Sequence, residues 1–124
     1  MRSEETESGV LEHWTPEEVR DAYDKNEIVL IDVRAPKEFA FETIEGALLS
    51  PITSLNPVKL PSQEGKPIVF YCGGGGRSRR AAEMTLRHSG GKIAHMEGGF
   101  GAWKKSGLPY VGTEEMTGTP TKVG

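Results

Sequence analysis

Pro67-Ile68-Val69-Phe70-Tyr71 runs without a break into Cys72, four glycines and Arg77-Ser78-Arg79-Arg80-Ala81-Ala82. A short β-branched and aromatic run bounded by turn residues reads as a buried strand. The residues from Ser78 to His88 read as a helix, with Ala81, Ala82, Thr85 and Leu86 on one face and Arg80, Glu83 and Arg87 on another. Gly73, Gly74, Gly75 and Gly76 therefore carry the chain from a strand end into a helix start. Without Cβ atoms they can curl and turn their N–H groups inward. Such a loop at a helix N-terminus is an anion cradle, and the nearest anion is the sulfur of Cys72 itself. A helix N-terminus contributes about 0.3–1 kcal/mol to an adjacent negative charge. Aimed N–H groups and the nearby Arg77 add to that, so the stretch predicts a cysteine held as thiolate and acting as a nucleophile. A buried, inert cysteine followed by a flexible loop is the alternative.

The rest of the chain alternates the same two patterns. Thr15-Pro16-Glu17-Glu18 has the N-cap, first-turn proline and first-turn acids of a helix start, and the helix is expected to reach about Lys25. Ile28-Val29-Leu30-Ile31 is a continuous apolar run, as in a parallel strand covered on both faces. It ends in Asp32-Val33-Arg34, whose opposite charges read as an ion pair supporting the cleft rather than as reacting groups. A short helix from Ala35 to Phe41, a tight turn at Ile44-Glu45-Gly46-Ala47 and a short strand at Leu48-Leu49 follow. Residues 51–61 are proline-rich, with one short helix expected near Ser54 to Leu60. Gly90-Gly91 ends the helix after the cysteine loop, and Lys92 to Met96 is a further strand. Alternating strands and helices predict an α/β domain with a central, mostly parallel sheet of about five strands and helices on both faces. Ligands in such folds sit at the carboxyl ends of the strands, where both Cys72 and Asp32-Val33-Arg34 fall. The expected limits are a flexible segment at 1–10, the domain at 11–112 and a loose tail at 113–124.

Composition narrows the function. A chain of 124 residues, 27% charged and 35% hydrophobic, suits one globular domain. Its net charge of −3 argues against general binding to nucleic acid or to an anionic membrane. The single cysteine makes no internal disulfide and fits a reducing compartment. The polar, acidic start has no signal-peptide core, so a cytoplasmic location is expected. His13, His88 and His95 are scattered, with no spacing that pairs them with Cys72, so neither a Cys-His protease arrangement nor a metal site is expected. No Walker-type lysine follows the glycines, and no cofactor is implied. Trp14 and Trp103 read as core or lid. Arg79, Arg80 and Arg87 read as a solvated helix face that could also guide anions toward the cleft.

Four segments in order resemble a rhodanese-like domain of the single-domain sulfurtransferase type, over roughly Trp14 to Tyr110. They are Ile31-Asp32-Val33-Arg34 with Glu38-Phe39; Ile44-Glu45-Gly46-Ala47; Cys72 to Ser78; and Glu97-Gly98-Gly99-Phe100 with Trp103 and Gly107-Leu108-Pro109. The resemblance implies sulfur transfer through a Cys72 persulfide cradled by the loop Gly73, Gly74, Gly75, Gly76, Arg77 and Ser78. The donor would be thiosulfate or a similar small molecule. The acceptor would be cyanide or a thiol such as glutathione, thioredoxin or a protein thiol. It places Arg77 against the anionic end of the donor or the persulfide, and Asp32 and Arg34 as structural supports of the cleft. Gly73 stands where thiosulfate users often carry a basic residue and mercaptopyruvate-type relatives a small one. Thr43 stands where the family's first turn often has histidine. Phosphatases of similar fold place five residues between cysteine and arginine, against four in this chain, so a phosphatase or arsenate reductase is the less favoured reading. A non-catalytic sulfur carrier or partner-binding module is the main alternative.

Overall fold

A computed structural model of the protein describes residues 1–114 and 117–124. The elements in order are β1 (Arg2–Thr6), β2 (Gly9–Trp14), α1 (Pro16–Asp24), β3 (Val29–Asp32), α2 (Pro36–Phe41), β4 (Glu42–Thr43) and β5 (Leu48–Leu49). After two single 3₁₀ turns come β6 (Ile68–Tyr71), α3 (Gly76–Ser89), β7 (Lys92–Met96), α4 (Gly99–Lys105), β8 (Tyr110–Thr113) and β9 (Pro120–Val123). The main sheet has the order β1-β2-β7-β6-β3-β5. Every neighbouring pair in it is parallel except β1 with β2. A small antiparallel sheet, β4-β8-β9, lies beside it. The central sheet is thus mostly parallel and flanked by helices, as the alternation of patterns requires.

Period-two alternation divides the core into two layers. Leu30, Val69, Tyr71, Ala94 and Met96 face one side, where Val19 and Ala22 of α1 and Phe100 and Trp103 of α4 cover them. Leu11, Ile31, Ile68, Phe70, Cys72 and Ile93 face the other, under Ala81, Ala82 and Leu86 of α3. The two alanines let α3 lie close to the sheet. Thr15 caps α1, accepting from the Glu18 amide at 3.2 Å while the Glu18 carboxylate accepts from the Thr15 amide at 2.9 Å. Trp103 is fully buried, and its indole N–H donates to the Pro109 carbonyl at 2.9 Å. Among the described residues no helix is long and apolar enough to cross a membrane.

Three local expectations differ from the structure. Residues 2–6 are the outer strand of a hairpin with β2, not a flexible segment. Polar partners hold β1: Arg2 pairs with Glu97, and Glu4 with Arg79 and His13. Charged composition hides such a strand because apolar burial does not support it. At the other end, where a loose tail was expected from residue 113, Pro120 to Val123 pair antiparallel with Tyr110 to Thr113 at the end of the domain; Glu115 and Met116 lie outside the described residues. Backbone ladder bonds hold β9, whose side chains are all exposed. Finally, the single helix expected near Ser54 to Leu60 is two short turns, Ile52–Ser54 and Pro57–Lys59. Pro57 removes the amide that a continuous helix needs there.

Candidate active site

Cys72 follows the last residue of β6, with its side chain on the α3 face of the sheet. Gly75 takes a φ of +107° immediately before α3, a conformation that favours glycine, and its N–H donates to Cys72 Sγ at 3.0 Å. Ser78 Oγ lies 3.6 Å from the same sulfur. Burial pushes the Cys72 thiol up. The Ser78 hydroxyl and the N–H groups of Ser78, Gly75 and Gly74 outweigh it, so the thiol is more acidic than usual. The loop is therefore curled around the sulfur as an anion cradle. It is also tight: Cys72 is 1% exposed, and within the loop Gly74 and Gly76 are the residues open to solvent.

The loop is held from below by the start of α4. Phe100 N–H donates to the Cys72 carbonyl at 2.7 Å, and Gly101 N–H to the Gly73 carbonyl at 3.0 Å. These carbonyls, which would repel a thiolate, are thus engaged away from the sulfur. Gly98 and Gly99, at φ +72° and +60°, make the tight entry into α4 that allows the contact.

Arg77 has a carboxylate partner at the rim of the site. Its guanidinium forks onto Glu38, with Nη1 to Oε1 at 2.6 Å and Nη2 to Oε2 at 3.1 Å, rather than standing free for a substrate. Arg77 beside it lowers the Glu38 pKa to about 2. Glu38 also accepts from the Ala35 amide at 3.1 Å, which caps α2, so the fork ties a capped helix start to the rim of the site. A Cβ on Gly73 would lie 3.1 Å from Arg77 Nη2. A basic residue at that position would therefore crowd the fork, and Gly73 leaves room for it.

Asp32 and Arg34 form a buried pair at the end of β3. Arg34 Nε donates to both carboxylate oxygens at 3.1 Å, and Nη2 donates to Oδ2 at 2.8 Å and to the Glu42 carbonyl at 2.6 Å. The guanidinium stacks over Phe100, 4.6 Å from the ring centre. The pair locks β3, β4 and α4 together beside the loop. Thr43 Oγ1 lies 3.1 Å from the Tyr71 hydroxyl, which anchors the turn after β4 to the strand that carries Cys72.

Two histidines that look unrelated in sequence meet at the site. Register sets His13 of β2 opposite His95 of β7, and His95 opposite Phe70 of β6. Both side chains share the Cys72 face. Ser78 Oγ is 2.9 Å from His95 Nδ1, and His95 Nε2 is 2.8 Å from His13 Nδ1. Period-two alternation from Cys72 and from Ile93 was the available signal, but it needs the order of the strands to be useful. His88 is exposed on α3 and takes no part. Arg79 is bound to Glu4, while Arg80 and Arg87 line a cavity of about 290 Å³ with Ile52, Thr53, Glu83 and Met84, between α3 and the first 3₁₀ turn. Among the described residues no group of three or more His, Cys, Asp or Glu side chains could hold a metal ion.

Cys72 thus stands, cradled and acidified, at a strand-to-helix loop of a mostly parallel sheet. The family model for the rhodanese-like domain matches residues 15–106, and the chain belongs to that family. It is 42% identical over 100 residues to an uncharacterized protein of Synechocystis, matching 80% of this chain and 55% of that protein's length. It is 33% identical over 92 residues to a protein of Allochromatium vinosum named sulfurtransferase, covering 73% of this chain and 85% of the relative. Among solved structures, a rhodanese-related protein from Thermoplasma volcanium superposes with a TM-score of 0.71 at 28% identity, covering 81% of this chain and 97% of that one.

Proposed function

We propose that the chain is a sulfurtransferase that carries a sulfane sulfur on Cys72. The observation that carries this reading is the Gly75 N–H aimed at Cys72 Sγ from 3.0 Å, in a loop whose carbonyls are taken up by α4. In the first half-reaction the Cys72 thiolate attacks the outer sulfur of a donor such as thiosulfate. A sulfur–sulfur bond forms to Cys72, the bond to the sulfonate breaks, and sulfite leaves with its electron pair. In the second, an acceptor thiolate attacks the outer sulfur of the persulfide. The acceptor leaves as a persulfide anion and Cys72 returns as thiolate; cyanide would leave as thiocyanate. The cradle that stabilises the thiolate serves equally for the terminal sulfur of the persulfide, which is also anionic. With Cys72 enclosed, the first step favours a narrow donor that presents one terminal sulfur. Cys72 is the sole cysteine of these 124 residues, so the acceptor thiol lies outside them, as glutathione, thioredoxin or a protein thiol.

Intact-mass measurement after incubation with thiosulfate or mercaptopyruvate tests this. One added sulfur is expected on the wild type and none on Cys72→Ser, with loss of that sulfur on adding cyanide or glutathione. A wild type that gains no sulfur from either donor or from a persulfidated protein would leave the domain as a binding module.

A further inference from the structure

The site contains a chain of hydrogen bonds that sulfur transfer as written does not use. It runs from Cys72 through Ser78, His95 and His13 to Glu4 at the edge of the sheet. The successive separations are 3.6 Å (Sγ to Ser78 Oγ), 2.9 Å (Oγ to His95 Nδ1), 2.8 Å (His95 Nε2 to His13 Nδ1) and 2.9 Å (His13 Nε2 to Glu4 Oε1). His13 and His95 are each 4% exposed, and Ser78 is fully buried. Glu4 is the partly open end, with 34% of its side chain accessible.

The direction of each bond follows from that end. Glu4 is forked by Arg79, with Nη1 to Oε1 at 3.1 Å and Nη2 to Oε2 at 2.7 Å, and is an ionised acceptor with a pKa of about 2. It therefore accepts from His13 Nε2–H. Neutral His13 then has a bare Nδ1, which accepts from His95 Nε2–H. Neutral His95 has a bare Nδ1 in turn, which accepts from Ser78 Oγ–H, leaving the hydroxyl oxygen to accept the Cys72 S–H. All donors point from the sulfur toward Glu4.

We propose that Ser78, His95 and His13 form a proton path that takes the Cys72 thiol proton toward Glu4 when the sulfur ionises and returns it when the sulfur is reprotonated. In the outward step the S–H bond breaks and its electron pair stays on sulfur. The proton goes to Ser78 Oγ as the proton of Ser78 goes to His95 Nδ1. The Nε2 proton of His95 goes to His13 Nδ1. His13 becomes an imidazolium whose Nε2–H remains on Glu4. The three bonds between the sulfur and His13 now point the other way, and the Ser78 hydroxyl proton, which also has the Gly75 carbonyl 3.1 Å away, is free to donate to the thiolate. Both arrangements leave each buried polar atom with a partner, so neither incurs the penalty of an unsatisfied group.

The surroundings decide where the charge rests. His95 has its pKa lowered to about 4, first by burial, then by His13, with Arg79 and Arg2 adding and Glu97 opposing. It passes the proton on rather than keeping it. His13 faces Glu4 of β1 and His95 of β7, with Glu97 3.8 Å from Nδ1. His95 is therefore a positioning and relay residue that acts through Ser78.

The inference rests on Cys72 being the working nucleophile, but its test reads the thiol and not sulfur transfer. The rate of Cys72 alkylation by iodoacetamide is followed against pH in the wild type, His95→Asn and His13→Gln. Asn keeps a partner for Ser78, and Gln keeps one for Glu4, but neither can pass a proton. The variants are expected to react about tenfold more slowly than wild type near pH 6, equivalent to one pKa unit, and at equal rates once the thiol ionises unaided above its pKa. If His95→Asn does not fold, His13→Gln carries the same prediction. Superimposable profiles would overturn the relay, and so would a variant that is slower by the same factor at every pH. In wild type, ¹⁵N shifts are expected to show both rings as Nε2–H tautomers while Cys72 is a thiol; an Nδ1–H tautomer on His13 would also overturn it. Failure of persulfide formation with the pH coupling intact would instead remove the sulfurtransferase reading and leave the relay.

Discussion

Gly99 lies against the peptide that joins Cys72 to Gly73. A Cβ on Gly99 would fall 2.4 Å from the Cys72 carbonyl oxygen and 2.7 Å from the Gly73 carbonyl carbon and oxygen. The missing side chain is what brings the first amides of α4 to the loop carbonyls. Gly99→Ala adds an atom where there is no space, at φ +60° where alanine is strained. A loss of about 2–4 kcal/mol is expected in urea unfolding, from overpacking and backbone strain together. The surviving folded fraction should show a less acidic Cys72, read from its alkylation profile.

Glu38→Gln tests the fork on Arg77. The Glu38 and Arg77 side chains are 39% and 33% exposed, so stability should change by no more than about 1 kcal/mol. If Arg77 orients the donor, releasing it from Glu38 should raise KM for an anionic sulfur donor by about tenfold with kcat nearly unchanged. Unchanged steady-state kinetics would reduce the fork to a brace between α2 and α3.

Asp32→Asn breaks the buried pair with Arg34 from one side only. It leaves a guanidinium buried without its counter-charge, which costs about 3–5 kcal/mol. Denaturant unfolding should show this loss. The same variant, where folded, should still form the Cys72 persulfide, because Asp32 touches the loop through β3, β4 and α4 and not the sulfur.

Stability should fall on acidification in two stages. The unfolded chain takes up a proton on His95 below about pH 6.5, whereas the folded chain refuses it until about pH 4. Between those values the unfolded state binds more protons, so stability drops as pH falls. Glu4 and Glu38 act lower down: each is near 4.5 when unfolded and about 2 when folded, so their contribution is complete above pH 4.5 and is lost toward pH 2. Thermal unfolding across pH should show both stages, and His95→Asn should flatten the first. An upper stage that persists in the variant would assign it to another group.

Much of the site was legible along the chain because its parts are consecutive. Strand, cysteine, glycines and helix occupy one stretch, and local backbone chemistry is enough to predict a cradle around the sulfur. Asp32 and Arg34 are two residues apart and both charged at the end of an apolar strand, so their pairing is equally local. The edge strand β1 was not legible, because its apolar content is low and its stability comes from Glu4, Arg2 and backbone pairing. Nor was the fork of Arg77 onto Glu38, since nothing in either neighbourhood names the other.

The amino-acid order alone determined which atoms form the thiol and its nest of amides, since those depend on torsions and spacing within a dozen residues. Tertiary structure decided what surrounds them. His13 and His95 are 82 residues apart in the chain and 2.8 Å apart in space, because β2 and β7 lie side by side in register. Strand order is a property of the whole packed sheet, and no local pattern encodes which strand becomes the neighbour of which.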